Sequence, residues 1–388
     1  MKPFLSTLLS FCLLALFSNA QTWDIEWQYT SNKQNQDYFA DIDQTSDGSF
    51  IVLGCESTNK SSDLCLSLYD ERGVAIWSQT FGTAKNDIPC KVKSMENGDF
   101  LILGKTSDEG VAKTLLLKTD SNGNEIWRIL LDSTKNEAGN DLIPLPDNGF
   151  LLAGSSGIDK NQMWLARFNE DGKITWAKNF HPDIQGNITS VKILPNNELL
   201  MSARVQGTNK NDCDIALMRT DNLGNEVWFN HLSSPKIKEW PQCVCCSPDS
   251  SIIMVGWSGA CLNDINSEYP VFDFDVVVKK FSANGKLIWT KSFDGEGSEG
   301  GNAVTVLPDG NFIIAGIKAT SFSGKIGPWL FLLDSKGNIV NETLLNMRLE
   351  QAAKAVVAPD GGIVVIGPGI NDRLSSRSDS WIIKFAGL

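Results

Sequence analysis

The sequence predicts an all-β fold, a seven-bladed β-propeller of four-stranded antiparallel blades, on three observations. First, the stretch Leu115 to Trp127, LLLKTDSNGNEIW, recurs along the chain. Copies end at Trp77, Trp176, Trp228 and Trp289, and a degenerate one, LFLLDSKGNIV, ends at Val340. Each reads as strand, tight turn, strand: an alternating apolar run, an Asp, Asn or Ser, a Gly three residues on, and a second run closed by Trp. The Gly supplies the positive φ that the turn needs, and the Asp can bond the turn backbone. Second, Trp27, Trp77, Trp127, Trp176, Trp228, Trp289 and Val340 lie 50, 50, 49, 52, 61 and 51 residues apart, a period that fits a propeller blade. Third, another turn, of the type Pro-Asp-Gly, appears seven times, at 46–48, 96–98, 195–197, 248–250, 308–310, 359–361 and as Pro146-Asp147-Asn148-Gly149.

Taken in order, the blade closing at Trp176 shows the elements well. Asn140 to Leu145 is an inner strand, Phe150 to Gly154 a second, Met163 to Phe168 a third and Ile174 to Asn179 a fourth. The C-terminal end holds three strands of the last blade, Ala352 to Ala358, Ile363 to Ile366 and Ser380 to Phe385. The segment Trp23 to Thr30 reads as a lone fourth strand with Trp27 in the repeat position. Pairing it with the last strand closes the ring and leaves no open edge. The long loops between strands two and three and between blades share one rim, the candidate functional face. The longest, Ser258 to Asp273, lies in blade five.

Residues 1–20 read as a secretory signal peptide: Lys2, an apolar run from Phe11 to Phe17, and a small residue, Ala20, before Gln21. The rest, 21–388, is then a single propeller domain, monomeric, and secreted or periplasmic, with no membrane span. A net charge of −12 and a pI near 4.8 argue against nucleic acid and anionic membranes, which demand basic patches. Eight cysteines follow Cys12, so an oxidising compartment allows disulfides. Cys55 with Cys65 and Cys213 with Cys261 are the plausible pairs.

The motif D-x-x-G-x-x-x-W, as in Asp120 to Trp127, resembles the tryptophan-docking repeat of the pyrroloquinoline-quinone-like propeller superfamily. It is also similar to repeats of secreted bacterial propellers. The resemblance spans Trp23 to Leu388 and implies the fold, with each Trp packed between neighbouring blades. The quinone-dependent members carry calcium-binding acidic groups and a vicinal disulfide. Cys245-Cys246 is a vicinal pair here, on an inner strand of blade five, and no further ligand matches.

Aligning the inner strands on their turns yields an apolar column, Ile42, Val92, Leu142, Val191, Val244, Val304 and Ala355, expected between the blades. Two flanking columns then face a central channel. One is Asp41, Lys91, Asp141, Ser190, Cys243, Ala303 and Lys354; the other is Asp43, Lys93, Ile143, Lys192, Cys245, Thr305 and Val356. Asp41, Lys91, Asp141 and Lys354 are candidate ligand-binding residues at its mouth. Trp240 and Trp257, beside Tyr269, form a candidate aromatic platform. His181 and His231 follow outer strands and read as surface residues. No catalytic set, cofactor site or metal site is recognisable. The expectation is a binding or scaffold module whose ligand is a glycan or an extracellular protein. The alternatives are a glycan-active hydrolase or lyase using Asp41 and Asp141, and a quinone-dependent oxidoreductase.

Overall fold

A computed structural model describes residues 23–387 apart from 31–36, 58–60, 109–110, 132–136, 158–159, 208–211, 235–236, 262–271, 296, 320–325, 346–350 and 371–377. The expected leader and Tyr269 lie outside the described residues. The chain forms seven four-stranded antiparallel sheets, each built from consecutive strands except the last. Blade seven takes its three inner strands, Lys354–Val357, Ile363–Ile370 and Ser378–Phe385, from one end of the chain and its outer strand, Ile25–Thr30, from the other. Ile25 pairs with Phe385 and Thr30 with Trp381. Lys384, buried in the sheet, reaches Glu26 at 3.0 Å across this seam, and Trp23 packs edge-on to Phe385 at 5.3 Å.

The repeat explains how neighbouring blades adhere. In the third turn, between the third and fourth strands of a blade, Asp70, Asp120, Asp221 and Asp334 each accept two backbone N–H groups, and Asn169 and Ser282 accept one; Asp120 holds Asn122 at 2.9 Å and Asn124 at 2.8 Å. The turn glycine does more than adopt positive φ. A Cβ on Gly73 would come within 2.6 Å of the Trp27 ring, so the ring lies flat on the glycine of the next blade. The same seat joins Trp77 to Gly123, Trp127 to Gly172, Trp176 to Gly224, Trp228 to Gly285 and Trp289 to Gly337. Blade seven has no third turn, because its third and fourth strands come from opposite ends of the chain. Blade six therefore has no glycine to dock on, and Val340, half exposed, stands where the tryptophan would be. A second glycine–tryptophan pairing fills the blade interiors. Trp164, Trp329 and Trp381 are buried on third strands, cross-strand from Gly154, Gly316 and Gly367.

The inner strands carry the feature that shapes the channel. Their ranges are Asp37–Gln44, Asp87–Ser94, Ala138–Pro144, Gly186–Ile193, Ile237–Cys246 and Gly300–Val306 in blades one to six. All six have a register shift at one position, skipping Ala40, Cys90, Asn140, Thr189, Gln242 and Asn302. A bulge adds one unpaired residue and re-aims its side chain. Beyond the bulge, alternation proceeds as expected. The apolar column is buried throughout, and the two polar columns line a central cavity. Ile143 is the exception, turning into the core between blades three and four.

Two expectations are corrected. The blade-five loop is shorter than Ser258 to Asp273, because the second strand continues to Cys261 and the third begins at Phe272. The seven described cysteines outside Cys261 are free thiols. Cys55 and Cys65 sit on adjacent strands, but Cys65 is opposite Gly54 and Cys55 opposite Leu64. That one-residue offset turns their side chains to opposite faces of the sheet. Cys261 itself is described only in its backbone, so the pair with Cys213 is not seen as a bridge.

Candidate functional site

The bulges place polar side chains around the channel mouth on the long-loop rim. A cavity of about 440 Å³ is lined there by Asn140, Thr189, Gln242 and Asn302 from the bulges, with Asn187, Gln351, Lys91, Arg204 and Trp240. Part of this set is braced. Asn140 donates through Nδ2 to Asn187 and, at 3.0 Å, to the Ile188 carbonyl. Asn302 donates to Gln351 at 3.1 Å and to the Ala352 carbonyl at 3.0 Å. Each bond crosses from one blade to the next. Gln242 and Arg204 are exposed, and neither side chain has a hydrogen-bond or ion-pair partner among the described residues.

The aromatic pair behaves unequally. Trp240 lines the cavity half-buried, stacked on Phe274 at 5.0 Å between centroids, with the Lys238 ammonium 5.4 Å from its ring. Trp257 is its cross-strand neighbour. It meets Phe274 edge-on, lies against Gly300, and donates from Nε1 to Asn302 at 3.3 Å. Trp257 thus supports the wall from behind, and Trp240 presents to the mouth.

Below the mouth, a second cavity of about 450 Å³ occupies the channel, sharing Lys91, Asn302 and Ala353 with the first. Its charged lining comprises Asp41, Asp43, Asp141, Lys91, Lys93, Lys192 and Lys354. The aspartates act as latches between blades. Asp41 accepts the Val92 N–H at 2.9 Å and pairs with Lys354 at 2.8 Å. Asp43 accepts the Ser94 N–H and the Lys93 ammonium, both at 3.0 Å. Asp141 accepts Val191 N–H at 2.9 Å and its neighbour Leu142 N–H at 3.1 Å. An innermost strand has a free edge facing the channel, and these carboxylates satisfy N–H groups that the sheet leaves unpaired. Burial pushes the Asp41 carboxyl up, but Lys354, Lys91 and Lys93 together outweigh it and hold it at about 2. Burial opposes the charge on Lys354 as well, yet Asp41 and Asp43 raise its affinity for the proton. For Lys93, burial and the nearby Lys354 prevail over Asp43 and Asp41 and lower it.

Of the residues singled out from the sequence, Lys91 and Trp240 meet at the mouth. Asp41, Asp141 and Lys354 lie deeper, with Asp41 and Asp141 sealed into the wall and serving different blade pairs. Sequence alternation alone missed the amides, because a bulge residue is out of phase with its strand. It also missed a column of acids opening the inner strands. Asp87 accepts Thr83 N–H at 2.6 Å, Glu239 accepts Ser234 Oγ at 2.9 Å, and Glu299 accepts the N–H groups of Gly295 at 3.0 Å and Ala319 at 3.2 Å. Their recurrence at 37, 87, 137, 239 and 299, with Gly186 in the place of an acid in blade four, was readable; Asp87, Glu239 and Glu299 tie down the loop that enters their blade.

The histidines lie at the surface, His231 exposed and His181 half-buried, and each has a carboxylate partner. His181 stacks on Phe229 at 3.7 Å and meets Glu226 at 2.8 Å. His231, within an outer strand, meets buried Asp214 at 2.9 Å. Ser234 is close, but its Oγ donates to Glu239 and its backbone N–H to Asp214, so the three do not form a serine–histidine relay. Asp275, Asp294 and Glu299 bring ligand oxygens within 4.8 Å of one another and are the described carboxylates that could share a cation. Burial first, then Asp294 and Asp273, raise Asp275 to about 6.

The chain is a seven-bladed β-propeller whose channel wall is latched by buried carboxylates and whose mouth is ringed by amides. No family model matches the sequence, and no curated protein does. Among solved structures, the fold is similar to the polysaccharide lyase Uly1, with TM-score 0.57, 10% identity, and coverage of 96% of this chain and 94% of that one. It is similar to the GH93 α-L-arabinofuranosidase of Fusarium graminearum in complex with arabinobiose, with TM-score 0.52, 10% identity, and coverage of 90% and 93%. It is also similar to Chaetomium thermophilum Sqt1 bound to the N-terminus of ribosomal protein L10, with TM-score 0.52, 11% identity, and coverage of 91% and 98%. At such identities the likeness speaks to the fold alone. No helix among the described residues is long and apolar enough to cross a membrane.

Proposed function

We propose that this protein is a secreted, non-catalytic carbohydrate-binding propeller that takes a saccharide at the long-loop mouth of its channel. One observation carries the reading: Trp240 lines a 440 Å³ cavity together with Gln242, Asn187, Asn302, Gln351 and Arg204. Sugar hydroxyls need planar donors and acceptors at fixed positions, and an aromatic edge or face covers the apolar side of the ring. Braced amides supply the first and Trp240 the second. The similar folds of a polysaccharide lyase and an arabinofuranosidase are compatible with it.

A hydrolase or lyase acting through Asp41 and Asp141 is disfavoured, since both carboxylates are already engaged by backbone N–H groups of the next blade. A general acid also needs a raised affinity for its proton, and Asp41 is held at about 2. The quinone-dependent reading rests on the tryptophan repeat, which blade docking accounts for. A glycan array on the mature protein, followed by calorimetry with Trp240→Ala and Gln242→Ala, tests the proposal. Trp240→Ala should weaken binding at least tenfold while the protein stays folded, and Gln242→Ala, at an exposed side chain, should do so without lowering the melting temperature. Unchanged affinity in Trp240→Ala would sink it.

A further inference from the structure

We infer that the ligand is an anionic saccharide, whose carboxylate or sulfate enters the channel between Lys91 and Lys192; this deepens the reading above and rests on it. The reasoning is a charge balance within one cavity. Four lysines and three aspartates line the channel. Lys354 is paired with Asp41 at 2.8 Å and Lys93 with Asp43 at 3.0 Å. Asp141 is tied to two backbone N–H groups, at 2.9 and 3.1 Å. Lys91 and Lys192 are left without an ion pair within 4.0 Å among the described residues, and both project into the cavity.

Position gives these two ammonium groups their meaning. Lys91 belongs to the mouth cavity as well as the channel, so a sugar seated against Trp240 shares its cavity with a cation. Lys192 lies in the channel below. A chain of net charge −12 repels anions at long range. With four lysines against three aspartates, the narrow axis has a net positive lining, a local sign opposite to that of the body. Charge-assisted bonds from ammonium to carboxylate or sulfate are among the stronger polar contacts available in such a site. A neutral saccharide would leave both lysines without a direct ion-pair partner.

The experiment uses calorimetry on the mature chain with a glucuronate-containing oligosaccharide and the matched oligosaccharide in which the carboxylate is reduced to the alcohol. Thermal melting with inorganic sulfate runs alongside. The anionic form should bind at least tenfold more tightly. Lys91→Gln and Lys192→Gln should each remove about tenfold of that preference and leave the melting temperature without sulfate unaltered. Lys91→Arg, which keeps the charge, should retain the preference. Equal affinity for the two saccharides overturns the inference and leaves the carbohydrate reading standing. If neither saccharide binds but sulfate raises the melting temperature in a Lys91- and Lys192-dependent way, the anion site stands and the carbohydrate reading falls. No response to any of the three removes both.

Discussion

The carboxylate of Asp41 accepts the backbone N–H of Val92 at 2.9 Å, across 51 residues of sequence and one step around the ring. The same side chain pairs with Lys354 of blade seven at 2.8 Å, so one buried group ties blade one to both its neighbours. Its function is closure, and its acidity follows from that. A carboxyl lowered from its ordinary value near 3.8 to about 2 adds stability that is complete above 3.8 and lost as pH falls through 2. That share is about 2–3 kcal/mol. Asp41→Asn should flatten the stability profile between pH 4 and 2, measured by urea unfolding. Asp41→Ala should cost more, about 3–5 kcal/mol at pH 7, because it strands Lys354.

The glycine seats allow a controlled comparison. Gly73 and Gly310 both have positive φ, +78° and +86°, yet a Cβ on Gly73 would strike the Trp27 ring while one on Gly310 meets nothing within 4 Å. Gly310→Ala should cost only the left-handed strain, about 1–2 kcal/mol. Gly73→Ala should cost at least twice that, since it also pushes apart the seam between blades seven and one. Equal losses in chemical denaturation would show that the ring contact contributes nothing.

Val340 offers the converse test. With no turn glycine in blade seven to receive a ring, Val340→Trp should leave the melting temperature within about a degree of wild type. Trp289→Val, which empties the seat on Gly337, should cost about 2 kcal/mol, below the figure for a fully buried tryptophan because the ring is partly exposed.

Crowding among Asp275, Asp294 and Asp273 gives a pH signature of the opposite sign. An acid raised to about 6 favours the folded state below its ordinary value, and that advantage is lost as pH climbs through 6. Asp275→Asn removes the burden of the ionised group. Its melting temperature should exceed wild type at pH 7.5 and match it near pH 4, as read by scanning fluorimetry.

The blade count, the ring closure and the apolar inner column were legible in the sequence for a common reason. Each depends on a spacing, and spacings survive in the chain as periods of 50 and 2 residues. The channel mouth was not, because Asn140, Gln242 and Asn302 occupy bulges, and one extra residue inverts the alternation that placed Asp41 and Lys91. Nor could the sequence reveal that Asp41 and Asp141 are occupied. Their partners, Val92 and Val191, are backbone groups that any side chain at those positions would provide. Cys55 and Cys65 were misread as a pair because closeness along a hairpin says nothing of which face each thiol takes.

The seam between Ile25–Thr30 and Ser378–Phe385 also sets a clock. Synthesis runs from the N-terminal to the C-terminal side, so the strand that completes blade seven is made long before its partner, with six whole blades between them. Throughout that interval its backbone groups stay unmatched, and each nascent blade has an unprotected flank. Maturation must therefore finish as a single late event, and until then the polypeptide is at its most vulnerable to proteases and to pairing with strangers.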